Sequence, residues 1–376
     1  MLKVLTFLGL GKYENTTYIK HDESGRCETD LFPIAVAKLY EPEQIIAFTT
    51  PKVIESKQDD LGKLATELSE KFITVNIPNG NSTDELWEIF NQCENVVDEN
   101  DEIILDITHA FRSIPLLIFI VAAYLRQVKS VELKHIIYGA FEARDQATNE
   151  TRIFDLTPFV ELLNWMNAVN VFQNSGDARP IAKLNVQDSI AEALISLSDA
   201  LLTNRTLEAQ EAAFKFNTEF SDLEFAASSE QPFQMLIDQL KQSYQLMAVD
   251  RPTTTQSQKE SLKAQYQQIK WYMENQHYLQ AITLMREWLI SFECFYHNGG
   301  WLERNTRKIA ENMLKNNHRD IEEKVIDLWK GCRIRGDLAH CGMRKNADSA
   351  TTAIGAIEQL FNKFEKYYKT IDWNNL

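Results

Sequence analysis

Short apolar runs alternate with longer segments of helical periodicity through the first part of the chain. Lys3–Leu8, Gln44–Phe48, Phe72–Ile77 and Glu102–Leu105 have the length and composition of buried strands. Lys134–Tyr138 and Thr151–Asp155 extend the series. Between them Asp30–Leu39, Val53–Glu70, Thr83–Val97 and Ser113–Leu125 read as helices. Leu61, Leu64 and Leu68 fall at helical spacing within one continuous Val53–Glu70 segment. Ser82 or Thr83 supplies a cap, and Glu85 or Glu88 lies in the following turn. This order predicts an α/β, Rossmann-like unit with a mainly parallel sheet and helices on both faces. Ligands of such sheets bind beyond the carboxyl ends of the strands. Two segments lie at such ends, Gly9–Tyr18 after the first strand and Asp106–Ser113 after the fourth. They converge only if those strands are neighbours.

From Asn174 the pattern changes. Asn174-Ser-Gly-Asp-Ala-Arg-Pro180 has the composition of a joint. Beyond it no strand pattern recurs. Val186–Leu202, Leu207–Phe216, Pro232–Met247, Lys259–Glu274, Tyr278–Tyr296, Asn305–Lys315, Ile321–Trp329 and Ser349–Tyr368 read as helices, and Val249–Gln258 as a polar break. The expectation is two domains, 1–173 and 174–376, the second an all-α helical bundle.

Composition narrows the chemistry. A formal net charge of −15 argues against nucleic-acid binding over the whole surface. Trp301–Lys345 departs from that balance, with 11 Lys/Arg against 7 Asp/Glu. The five cysteines (Cys27, Cys93, Cys294, Cys332, Cys341) are scattered and form no C-x-x-C pair, so neither a disulfide framework nor a metal site is expected. Neither an apolar run of membrane-spanning length nor a signal peptide is read, and a cytoplasmic location follows as the expectation.

The first loop carries Gly9, Leu10, Gly11, Lys12, Tyr13, Asn15 and Thr16. It is neither a P-loop nor a complete dinucleotide fingerprint, because Glu14 stands where the third glycine belongs. Its glycines still let backbone N–H groups approach an anion. Read alone, it is a strand-to-helix turn with solvated polar residues. The second segment, Asp106-Ile-Thr108-His109-Ala110-Phe-Arg112-Ser113, is more telling. It places polar groups between a buried strand and an apolar helix, where they are costly unless used. Thr108 and Ser113 can donate to phosphate oxygens, and Arg112 stands where a helix dipole favours an anion. Helix capping by Asp106 or Thr108 is the competing reading.

These residues resemble a known family. Met1–Tyr18 with its GLGKYENTTY loop, Glu41–Phe48 and Asp106–Pro115 are similar to the CARF domain of CRISPR-associated proteins. Arg335-Gly-Asp-Leu-Ala-His340 is similar to the R-x4–6-H signature of HEPN ribonucleases. The order resembles the CARF–HEPN ribonucleases of type III CRISPR systems. Ala110 departs from a frequent glycine, and Gly336 from a usually polar residue whose role Asp337 can take. The resemblance implies a homodimer, or a higher oligomer, whose CARF domains share one pocket for a cyclic oligoadenylate, cyclic tetra-adenylate being the commonest in the family. It implies that this activator switches on a metal-independent cut in single-stranded RNA, with no membrane or DNA partner. The ligand set by motif is Gly9, Leu10, Gly11, Lys12, Tyr13, Asn15, Thr16, Asp106, Thr108, His109, Ala110, Arg112 and Ser113. The catalytic set is Arg335, His340, Arg333 and Asp337.

RNA brings its own nucleophile, the 2′-OH, so cleavage needs only positioning, proton transfer and charge stabilisation. A histidine can move the proton near neutral pH and an arginine can hold the phosphate. The product would be a 2′,3′-cyclic phosphate. In one continuous helix Arg335 and His340 would lie about 140° apart. A helix beginning near Asp337 removes that conflict, which puts Arg335 first. Arg333 would share a helical face with His340 and also fits the spacing. A non-catalytic ligand sensor, or a CARF domain that degrades its own ligand through Thr108, His109 and Lys12, are the alternatives.

Overall fold

The computed structural model describes residues 1–110, 114–184, 188–221, 231–297, 300–343 and 345–376. It divides into two compact units, Met1–Leu163 and Asn164–Leu376.

The first unit contains β1 (Leu2–Phe7), β2 (Thr16–Ile19), β3 (Arg26–Thr29), α1 (Phe32–Tyr40), β4 (Gln44–Thr49), α2 (Pro51–Ser56), α3 (Gln58–Leu68), β5 (Phe72–Asn76), α4 (Thr83–Asn95), β6 (Glu102–Asp106), α5 (Ile114–Val128), β7 (Glu132–Gly139) and β8 (Glu150–Asp155). They form an eight-stranded sheet in the order β3-β2-β8-β7-β6-β1-β4-β5. The strands from β5 to β7 are parallel, β8 is antiparallel to β7, and β2 is parallel to β8. The sheet is thus mainly parallel, as the alternation of elements requires.

The pleat sorts the apolar residues into two cores. Leu5, Phe7, Ile46, Phe48, Ile103 and Leu105 pack with buried residues of α4 and α5. Val4, Ile45, Ala47 and Ile104 pack on the other face with residues of α1 and α3. Lys3 is the exception on β1, almost wholly buried at 3% exposure. Its ammonium donates to Asp98 at 2.6 Å and to the Val96 carbonyl at 3.0 Å, and lies 2.6 Å from Asp101. A buried cation needs this many partners.

Two local expectations fail. Thr16–Ile19 and Arg26–Thr29 form an antiparallel hairpin rather than the end of a loop. These strands are too short to show a period, and β2 gains its place by pairing with β8, more than 130 residues later. The segment read as one helix over Val53–Glu70 is broken between α2 and α3. Lys57 leaves helical geometry there (φ −123°, ψ 29°) and lays its ammonium 4.1 Å from the centre of the Tyr13 ring.

The second unit is helical. A helix, α6 (Thr157–Ser175), runs through the division. It is followed by α7 (Arg179–Ala182), α8 (Asp188–Leu202), α9 (Thr206–Ser221), α10 (Gln231–Gln245), α11 (Thr255–Glu274), α12 (Tyr278–Tyr296), α13 (Arg304–Lys315), α14 (Glu323–Gly331), α15 (Ile334–Ala339) and α16 (Ala350–Tyr368). No strand occurs among its described residues. Large aromatics fill its core, and three of the most deeply buried have their polar ends satisfied. Trp288 donates to the Leu262 carbonyl at 2.8 Å, Tyr272 to Leu201 at 2.7 Å, and Tyr244 to Phe172 at 2.9 Å. Among the described residues no helix is long and apolar enough to cross a membrane.

Candidate functional site

β1 and β6 are neighbours, with Thr6 level with Asp106. On one side of β1 the chain continues to β4 and β5, and on the other to β6 and β7. The loops after β1 and β6 therefore leave at the point where strand order reverses, and they converge. The Thr6 hydroxyl donates to Asp106 Oδ2 at 2.6 Å, and Asp106 Oδ1 accepts from the Thr108 amide at 2.8 Å. Asp106 is completely buried, and burial pushes its carboxyl up to about 6 despite the hydrogen bonds from Thr6 and Thr108. It is a post that holds the loop, not a surface a ligand can reach. Thr108 Oγ1 accepts from the Gly139 amide at 2.8 Å and so ties the same loop to β7.

Tyr13 closes the first loop on itself. Its hydroxyl accepts from the Gly9 amide at 3.1 Å and donates to the Gly9 carbonyl at 2.8 Å. Its ring stands 4.8 Å from the His109 ring, tilted by 54°. A Cβ at position 9 would lie 2.9 Å from the His109 carbonyl oxygen, so only glycine lets the two loops touch. Position 11 is the opposite case. A Cβ there would meet no protein atom within 4 Å, and the glycine leaves a bare stretch of exposed backbone. His109 completes the cluster. Its Nε2 is buried with no hydrogen-bond partner, and burial lowers its pKa to about 4. A neutral imidazole nitrogen waiting for a partner is the polar feature expected of a ligand pocket.

The remaining motif residues scatter in role. Leu10, Lys12 and Asn15 are exposed on the same loop, with Asn15 donating to Glu28 at 2.7 Å. Thr16 is fully buried in β2 and bonds to the Asn149 carbonyl and the Thr151 hydroxyl, both at 2.8 Å. It holds the hairpin and faces no ligand. Ala110 is half-buried and closes a turn onto Ile107. Arg112 and Ser113 lie outside the described residues. A neighbouring cavity of about 120 Å³ is lined by Gly9, Leu10, Thr50, Lys52, Asn79 and Asn81, among others. Sequence reasoning passed over Lys57, at the α2–α3 break, and also Lys52 and the two asparagines, although these three follow the carboxyl ends of β4 and β5, the position the fold rule singles out.

In the second unit α15 packs against α12. It starts at Ile334 with Arg333 as its N-cap residue, not near Asp337, and ends with His340 at its C-cap. Arg335 is thus inside the helix, and about 140° around the axis from His340. Arg333 is about 20° from it and, like His340, exposed. Asp337 is buried on the inward face. Cys341 (φ 55°) and Gly342 (φ 63°) then reverse the chain, their amides closing onto the Leu338 and Asp337 carbonyls at 3.0 Å. One partner helix also buries a carboxyl, Glu293, pushed up to about 7 by burial and by Glu322.

Residues 3–142 match the family described as CRISPR system endoribonuclease Csx1, CARF domain. This part of the chain is similar to the CARF domain of CRISPR-associated proteins. Both loops and the strands up to β7 fall in the matched region, and β8 lies beyond it. Residues 161–247 match the second domain of the CRISPR-associated protein MJ1674. The curated MJ1674 of Methanocaldococcus jannaschii is 36% identical over 140 residues, which are 36% of this chain and 22% of that protein's length. The match therefore takes in about a fifth of that relative. Among solved structures, Enterococcus italicus Csm6 bound to cyclic hexa-2'-fluoro-hexa-dAMP is similar at 11% identity and a TM-score of 0.45, over 97% of this chain and 94% of that one. A likeness that slight carries no argument.

Proposed function

We propose that this CARF protein is a single-stranded-RNA endonuclease of type III CRISPR defence, switched on by a cyclic oligoadenylate and needing no metal for the cut. One observation carries the sensing half. The β1 and β6 loops meet at the switch point of the sheet and offer bare glycine backbone, an aromatic face at Tyr13, a cation at Lys57 and an unpartnered nitrogen on His109. Backbone N–H groups suit phosphates, and aromatic and imidazole rings suit adenines. The matched family is named for an endoribonuclease.

For the catalytic half, Arg333 and His340 share a face of α15, so Arg333 is the better phosphate holder and His340 the proton carrier. Asp337 braces the helix from its buried side. Two copies would pair through α5, where Leu116, Ile120, Tyr124 and Val128 form an exposed apolar stripe at four-residue spacing. The stripe lies on the helix that follows the β6 loop, so pairing there would bring two copies of the ligand loops together. We place this activity in the cytoplasm and take cyclic tetra-adenylate as the activator. The neutral, unpartnered His109 also favours a second reading, slow cleavage of the bound ring with Thr108 and Lys12 assisting.

The test is cleavage of a fluorescent single-stranded RNA in EDTA, with cyclic tetra- and hexa-adenylate added separately. Activity that requires one ring and falls about 100- to 10,000-fold in His340→Ala supports the proposal. Ligand binding without any RNA cleavage would leave a sensor and sink the nuclease. Chromatography of the recovered ring decides the second reading.

A further inference from the structure

Three side chains from distant parts of the chain meet toward the amino ends of the parallel strands, away from the β1 and β6 loops. His21 follows β2, His135 lies on β7 level with Ile104 of β6, and Asp155 ends β8. One donor atom from each lies within 4.8 Å of the others. His135 Nδ1 is 2.8 Å from Asp155 Oδ2, and His21 Nε2 is 3.9 Å from the same oxygen.

A hydrogen-bonded His–Asp pair accounts for the first distance but not for the second, which is too long for a hydrogen bond. Both are close to what a shared ion demands. Ligand atoms held at about 2.0–2.1 Å around a tetrahedral zinc stand roughly 3.3 Å apart. The outer contacts are also those of a built site. Asp155 Oδ1 is engaged by the Thr157 amide at 2.9 Å and by the Thr157 hydroxyl, which leaves Oδ2 facing the histidines. His21 Nδ1 lies 3.0 Å from the Tyr40 hydroxyl, which leaves Nε2 turned inward. Metal-ligating histidines and carboxylates are oriented by second contacts of this kind.

We infer that His21, His135 and Asp155 bind one zinc ion, with a fourth position left to water. Two imidazoles and one carboxylate suit zinc and its late first-row neighbours, not magnesium or calcium, which prefer all-oxygen sites. A cavity of about 480 Å³ is lined by His135 and by Tyr40, the partner of His21. The site is separate from the Arg/His segment and independent of the proposed cleavage chemistry. It also departs from the sequence-based expectation of no metal, because its three members carry no local spacing signature.

The test uses the full chain stripped with a chelator and titrated with Zn2+ against a chromophoric competitor. In parallel Co2+ is added and its visible spectrum recorded. One tightly bound zinc in the wild type, a tetrahedral Co2+ band, and at least about tenfold weaker binding in both His21→Ala and Asp155→Asn support the site. Equal zinc binding in wild type and in folded variants would overturn it. So would a thiolate charge-transfer band with Co2+, which would put the ion on cysteine. If the variants fail to fold, the wild-type Co2+ spectrum alone decides, since a spectrum without the tetrahedral band rejects the site.

Discussion

His109 gives the clearest residue-scale prediction. Its folded pKa of about 4 lies below the ordinary 6.5, so the unfolded chain takes up the proton first as the pH falls. The contribution of His109 is complete above about 6.5 and is lost between there and about 4, at up to roughly 1.4 kcal/mol per pH unit. Glu293, raised to about 7, slopes the other way, so the comparison must be with a variant at position 109. Denaturant unfolding at pH 7, 6, 5 and 4 should show His109→Gln losing less stability on acidification than the wild type; parallel losses would refute the buried neutral imidazole. Saturating activator should steepen the wild-type profile if the ring of His109 accepts a hydrogen bond from it. Some of this was legible in the sequence and some was not. The polar run Asp106–His109 stood out because it interrupts apolar neighbours. That Asp106 and Thr16 are struts and His109 is presented could not be read, since each role depends on a partner far along the chain, Thr6 in one case and Thr151 in another.

At the scale of elements, long periodic helices were legible and short strands were not. The Tyr278–Tyr296 helix appears with its expected bounds, because nineteen residues give several turns of pattern. The β2–β3 hairpin has four residues per strand and no period to read. The α2–α3 break was hidden because neither Gly nor Pro marks it; only the absence of apolar residues from Glu55 to Asp60 hints at it. At α15 the start of one helix changes which arginine shares a face with His340. Arg333→Ala should lower RNA cleavage by at least about 100-fold, with Arg335→Ala milder and unfolding midpoints little changed, as measured by single-turnover kinetics and thermal scans. The reverse ranking would return Arg335 to the leading role. The glycine loop offers a second contrast. Gly11→Ala meets no protein atom and should leave stability within about 0.5 kcal/mol, yet weaken activator binding about tenfold or more by calorimetry. Gly9→Ala pushes on the His109 carbonyl and should cost stability as well as binding.

At the scale of the molecule, the apolar stripe on α5 sets the expected assembly. Ile120 is 52% exposed and sits in the middle of the row. Ile120→Glu should convert a dimer to a monomer in light scattering and abolish ligand-dependent cleavage, while leaving the fold intact by circular dichroism. A dimer that survives the change would place the interface elsewhere. The pairing of β1 with β6 has a further consequence, one of timing. The bond from Thr6 to Asp106 spans 100 residues. At roughly 5–20 residues per second, synthesis takes about 5–20 s to pass from one to the other. During that interval β4 and β5 can already flank one side of β1, while its other edge stands open to any strand that comes by. The newborn chain has half a sheet and a single glycine loop with nothing to meet. The two loops come together only when the fourth parallel strand slides into the gap.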